Sequence, residues 1–247
     1  MKVSSRRFPV TLLGGALFGA LFIGGAFRQT PAISAPVLDA DDQKATQQLI
    51  AVLHRSLKKP NGDKINLTVV PNARSSEGYF SEVKMSAAPA QLKKKLRVTE
   101  FSLDARNVQV NMGALWQERR VRTLKSQTKL RVTITEDDLT QMLARGKHTK
   151  TMGLKIKFVG DKLSVTGNVN YALVNGPVSG LAKLRMMPDH KVNLDIISMK
   201  LRGAELPVFV KNQFASRINP IIDYNDLPFN PPFKGVKVVG NKAYLST

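Results

Sequence analysis

The sequence predicts an α+β fold in which a long, curved antiparallel β-sheet has its apolar face covered by two amphipathic helices. Two observations carry that prediction. Apolar residues alternate with polar ones in segment after segment between Ile65 and Ile196, the period of a strand with one buried and one wet face. Only three stretches show helical spacing, too few to cover so large a sheet, so its apolar face must close on itself or shelter something apolar.

Residues 1–35 read as an export leader or an N-terminal anchor. Lys2, Arg6 and Arg7 precede an uncharged run from Phe8 to Phe27, the basic-then-apolar order of a signal segment, and small residues ending at Ala32 and Ala35 offer cleavage sites. The run 8–27 approaches the ~20 residues that span a bilayer, so an uncleaved anchor in the inner membrane is the alternative. On either reading residues 36–247, which contain no linker and no convincing repeat, form a single exported domain of the periplasm or cell envelope.

The first helix starts at Asp39, Asp41 and Asp42 and carries Ala45, Leu49, Val52, Leu53 and Leu57 at spacings of three and four. Acids at its start, Lys58 and Lys59 at its end and then Pro60-Asn61-Gly62 delimit it. Strand-period segments follow, among them an unbroken stretch from Lys93 to Val110 and another from Lys191 to Arg202. Gly160-Asp161, Asn175-Gly176-Pro177 and Pro188-Asp189 supply turns between strands. A second helix spans Thr135–Gly146, with Thr135 as N-cap and Asp138 three residues on. A third begins at Leu206 with Pro207 in its first turn, carries Val210, Phe214 and Ile218 on a stripe with Phe209 beside them, and ends at Asn219-Pro220.

Composition narrows the chemistry. Cysteine is absent, which excludes disulfides, thiolate metal sites and cysteine nucleophiles, and the three histidines, His54, His148 and His190, lie far apart. No nucleophile elbow, phosphate-cradling glycine loop, dinucleotide loop or paired-histidine zinc motif occurs, so no catalytic residue, metal or cofactor is implied. Asp223 and Asp226, with Asn225, are candidates for a cation site, with turn capping as the plainer reading.

Charge is the louder signal. The chain carries 38 Lys and Arg against 18 Asp and Glu, a formal net charge of +20. Removing the leader takes away four basic side chains and no acidic ones, leaving +16 on the domain. Lys93, Lys94, Lys95, Arg97, Arg119, Arg120, Arg122, Lys129 and Arg131 fall largely in the polar phase of strands, with few acids among them, and predict a basic face. Trp116 is the only tryptophan, and with four tyrosines the chain offers few stacking platforms for single-stranded nucleic acid. An anionic membrane surface is the better partner, and nucleic acid is not expected.

Several stretches resemble the LmeA-like family of bacterial envelope phospholipid-binding proteins. They are the run from Val132 to Leu143, the Leu163–Gly167 segment, Pro177-Val178-Ser179-Gly180-Leu181-Ala182, Leu206-Pro207-Val208-Phe209-Val210 and, most clearly, the run from Ile218 to Phe229. Asn230 departs from the family ending, in which a glycine follows Leu-Pro-Phe. The resemblance implies a tubular lipid-binding fold, in which the long curved sheet wraps around one or two amphipathic helices and leaves a hydrophobic groove, and it brings no catalytic residues. Acyl chains would then enter an apolar groove, for which the candidates are Leu49, Leu53, Leu163, Val165, Leu184, Leu194, Ile196, Phe209, Phe214 and Ile218. The combined reading is a non-enzymatic phospholipid-binding protein that carries or senses lipid. The alternatives are an envelope scaffold for anionic glycan or protein, and a lipid or glycan hydrolase using Asp223 or Asp226.

Overall fold

A computed structural model describes residues 38–92, 96–147, 149–171, 174–231 and 233–247. The expected leader with its apolar run 8–27, the cations Lys93, Lys94 and Lys95, and His148 lie outside the described residues. Residues 36–247 cluster as one compact unit, and the buried hydrophobic core, from Ala45 to Leu245, belongs entirely to it.

Helix α1 (Ala40–Ser56) begins where Asp39 accepts a 2.7 Å bond from the Asp42 amide, and its three-and-four stripe of Ala45, Leu49, Val52 and Leu53 is buried. The strands that follow are β1 (Asn66–Pro71), β2 (Tyr79–Ala87), β3 (Ala90–Leu92), β4 (Leu96–Val98), β5 (Glu100–Val110) and β6 (Thr123–Thr135). Helix α2 (Glu136–Arg145) is capped by Thr135, whose side chain accepts from the Asp138 amide while Asp138 accepts from the Thr135 amide. Then come β7 (Lys155–Val159), β8 (Lys162–Tyr171), β9 (Val174–Met187), β10 (Lys191–Leu201), β11 (Ala204–Glu205), α3 (Val208–Ile218), β12 (Ile222–Asp223), β13 (Gly235–Val239) and β14 (Lys242–Ser246).

The fold is α+β, with a strongly curled antiparallel sheet and few helices. Hydrogen bonding divides the strands into a six-stranded sheet in the order β1-β2-β5-β6-β14-β13 and a second in the order β11-β10-β9-β8-β7, with β12 also pairing β10. One continuous cluster of buried residues joins both sheets to α1 and α2.

Three expectations need correction. The stretch from Lys93 to Val110 is not one strand: β4 pairs with β3 as a separate hairpin and the chain turns at Thr99. The reason is a phase slip, since Leu96 and Val98 are buried in even register and Phe101, Leu103 and Ala105 in odd register, so both sets face the core only if the strand bends between them. Thr99 holds that bend, its amide donating to the Thr133 carbonyl and its hydroxyl to Asp138 at 2.8 Å.

Asn175-Gly176-Pro177 is not a turn but the start of β9, paired with Asn170, Val169 and Asn168 of β8. Proline is tolerated there because β10 stops opposite, at the Leu201–Val178 pair, leaving an edge. Pro207 caps α3 from outside rather than opening its first turn. The turns at Gly160-Asp161 and Pro188-Asp189 join β7 to β8 and β9 to β10. In the C-terminal motif Phe229 and Asn230 have φ of 67° and 38°. Asparagine tolerates that left-handed conformation better than most residues, which explains how Asn230 stands where a glycine is usual.

Candidate functional site

An apolar cleft lies between the second sheet and α3. Inward residues of β8, β9 and β10 form its floor, with Val165, Val178, Gly180, Ala182, Leu194, Ile196 and Met199 among them; Leu143 of α2 and Phe214 and Ile218 of α3 close it. It holds about 370 Å³ of unfilled space, part of it open to solvent.

Strand chemistry explains why the space is empty. Val178, Gly180 and Ala182 alternate onto one face of β9, and the two smaller of them leave a hollow that larger residues would fill. Gly180 is required by its neighbour as well: a Cβ there would meet the Ser198 carbonyl oxygen of β10 at 2.5 Å. Strand β10 bulges between Ile196 and Ser198, so its inward phase passes from Leu194 and Ile196 to Met199, while Ile197 faces solvent.

The cover is the least firmly held element of the site. Helix α3 has no fully buried residue; it presents Phe214 and Ile218 to the floor as half-buried side chains. Its C-terminal end is tied to β10 by Asn219, which accepts from the Leu194 amide at 2.7 Å and donates to the Leu194 carbonyl at 3.0 Å. Its N-terminal half carries an ion pair, Lys211 to Glu205 at 3.2 Å, and that lysine, followed by the Met199 amide, holds the Glu205 carboxyl below the usual range.

The ten apolar candidates separate into three groups. Val165, Leu194, Ile196, Phe214 and Ile218 line the cleft. Leu163 and Leu184 face the same way on β8 and β9 but are buried in the core, and Leu49 and Leu53 are sealed in the packing of α1. Phe209 is 66% exposed on the first turn of α3 and does not line the cleft. Residue-by-residue apolarity missed Gly180 and Ala182, because a hollow is signalled by small residues in the inward phase rather than by large ones.

The basic candidates also disperse. Arg119, Arg120 and Arg122 are exposed on the loop between β5 and β6, and Lys129 and Arg131 on the outer face of β6. Arg97 lies 3.9 Å from the buried Asp138 carboxylate. Acids intervene where the sequence suggested few: Asp104 stands opposite Lys129 and beside Arg106, and Glu82 pairs with Lys84 at 2.7 Å.

No acidic, basic or histidine side chain lines the cleft, whose only hydroxyls are those of Ser179 and Ser198; what it offers is removal of apolar surface from water. Among the described residues no group of three or more His, Asp or Glu could hold a metal ion. Asp223 accepts from the Asn225 amide and side chain, both at 3.1 Å, which is turn capping, and the Asp226 side chain lies outside what is described. Tyr224, next to it, is buried and stacked on Phe233, and burial pushes its phenol pKa well above the usual value. No helix among the described residues is long and apolar enough to cross a membrane.

In comparison with known families, residues 76–242 fit the family described as LmeA-like phospholipid-binding. The matched span runs from the turn before β2 to the first residue of β14 and includes every residue that lines the cleft. No curated protein and no solved structure matches the chain.

Proposed function

The chain belongs to the LmeA-like phospholipid-binding family, and from that premise we propose that it is a non-enzymatic carrier or sensor of phospholipid in the cell envelope, holding an acyl chain in the cleft under α3. The observation that carries the reading is a cleft with no acidic, basic or histidine side chain in its lining, roofed by a helix with no fully buried residue. The 370 Å³ includes open solvent, so the cleft marks where an acyl chain enters, and its methylenes are buried as the cleft opens around them. At ~0.8 kcal/mol per methylene, that burial accounts for retention without directional contacts.

Because the space is partly solvent, a full chain needs α3 to yield. The helix pivots on its Asn219 tie to Leu194, and its half-buried face exchanges β-sheet contacts for lipid contacts at small net cost. The phosphate stays at the cleft mouth, in water, while the basic residues of the domain draw it to anionic membranes. Residues 1–35 direct it out of the cytoplasm, as an export leader or an anchor. Organic extraction of the purified domain followed by mass spectrometry tests the reading: co-purifying phospholipid supports it. No bound lipid, before and after incubation with phospholipid vesicles, rejects it.

A further inference from the structure

We propose that the β5–β6 tip is the surface by which the domain docks on an anionic phospholipid bilayer, with Trp116 and Leu124 entering the interface and Arg119, Arg120, Arg122 and Lys125 meeting the headgroups. The proposal rests on the phospholipid-binding reading and adds to it which end of the molecule meets the membrane.

Four observations converge on this tip. Its turn, Ala114–Glu118, buries Ala114 and Leu115 as an anchor but leaves Trp116 47% exposed, and Leu124, at the foot of β6, is 58% exposed. Large apolar side chains so placed have no role in the core, and tryptophan, with an apolar body and one polar N–H, is the residue that favours a membrane–water boundary. Around them Arg119, Arg120, Arg122 and Lys125 are all exposed, and none forms an ion pair among the described residues. Glu118 is the one acid between Asn111 and Lys125. This differs from the middle of the same sheet, where Glu82 and Asp104 answer the cations.

The fourth observation is where the described chain begins. From the first turn of α1, Asp42 accepts from the Ser76 amide at 2.7 Å; two residues on, the Gly78 carbonyl accepts from Val110, and Asn111 donates to the Arg122 carbonyl. Gln48 of α1 also donates to the Leu115 carbonyl at 3.2 Å. The start of α1 and the basic tip are therefore fixed at one end of the first sheet. Leu38, the first described residue, follows the apolar run 8–27 by eleven residues, a reach of at most about 40 Å when fully extended. A bilayer holding that run lies within the same reach of this end of the domain.

Cations beside an exposed tryptophan also suit nucleic acid or anionic glycan, but the tip offers one aromatic ring and a leucine, a wedge for acyl chains rather than a series of stacking platforms.

Trp116 is the sole tryptophan, so the intrinsic fluorescence of the unmodified 36–247 domain reports on this tip alone. Vesicles of phosphatidylglycerol and phosphatidylcholine are expected to shift its emission to the blue and shield it from acrylamide, with the effect reduced by salt; phosphatidylcholine alone gives little response. Arg119→Gln, Arg120→Gln and Arg122→Gln together should weaken vesicle binding about 100-fold. Mass spectrometry of cleft-bound lipid is read in parallel and should not change in that variant, which separates failure of the docking surface from failure of the cleft. Unchanged tryptophan emission while the domain co-sediments with anionic vesicles, or full vesicle binding by the triple variant, overturns the proposal. So does a fluorescence response to heparin or duplex DNA without one to vesicles.

Discussion

Substituting Val165→Phe narrows the cleft from its floor with little demand on the rest of the fold. Val165 is half-buried on β8 and faces the open space, so the added ring has somewhere to go. The change adds four carbon atoms where methylenes of a bound chain would lie. At ~0.8 kcal/mol each the lost burial is about 3 kcal/mol, or roughly 150-fold in affinity. Displacement of a pyrene-labelled phospholipid measures that loss, and thermal melting monitors the fold, where a change of under about 4 °C is expected. Leu163→Phe, two residues earlier on the same face, is the control. Leu163 is fully buried, so the extra volume overpacks the core by ~1–3 kcal/mol and lowers the melting temperature instead. Unaltered lipid affinity in a normally melting Val165→Phe protein would refute the placement of the acyl chain.

Other consequences follow from the same geometry. Leu49→Ala removes a fully buried side chain of α1 and should cost ~2–5 kcal/mol, seen as a lowered denaturation midpoint, while lipid specificity is kept. Asn219→Ala deletes both bonds to Leu194, so amide exchange in α3 should quicken and lipid uptake with it; unchanged exchange would show that the tie does not hold the helix. Burial, and then Lys64, hold the His54 pKa below its ordinary 6.5. The native state therefore binds fewer protons than the unfolded chain, so this contribution to stability is complete above about pH 6.5 and is lost as pH falls through the lowered value. The melting temperature should decline between pH 7.5 and 5.5, and His54→Gln should flatten that decline.

Local signals made most of the fold legible. The acids before α1, the Thr135 and Asp138 pair that caps α2, and the alternation of the strands each act over a few residues and are readable in order. The bend at Thr99 was legible too, in the slip from Leu96 and Val98 to Phe101 and Leu103, but alternation within each segment masked the change of phase between them. Asn175-Gly176-Pro177 has turn chemistry and forms strand because its β10 neighbour ends at Leu201, a fact of tertiary pairing. Half of the groove candidates line the cleft for a similar reason. Periodicity identifies the inward face but does not distinguish Leu163, packed on all sides, from Val165, which borders a hollow made by Gly180 and Ala182 on another strand.

The most direct test is the mass of the purified 36–247 domain under native conditions. The cleft account predicts a population heavier by one phospholipid, restored after delipidation by incubation with phospholipid vesicles and reduced in Val165→Phe. A domain that shows only its polypeptide mass after such incubation, while remaining folded, would contradict it.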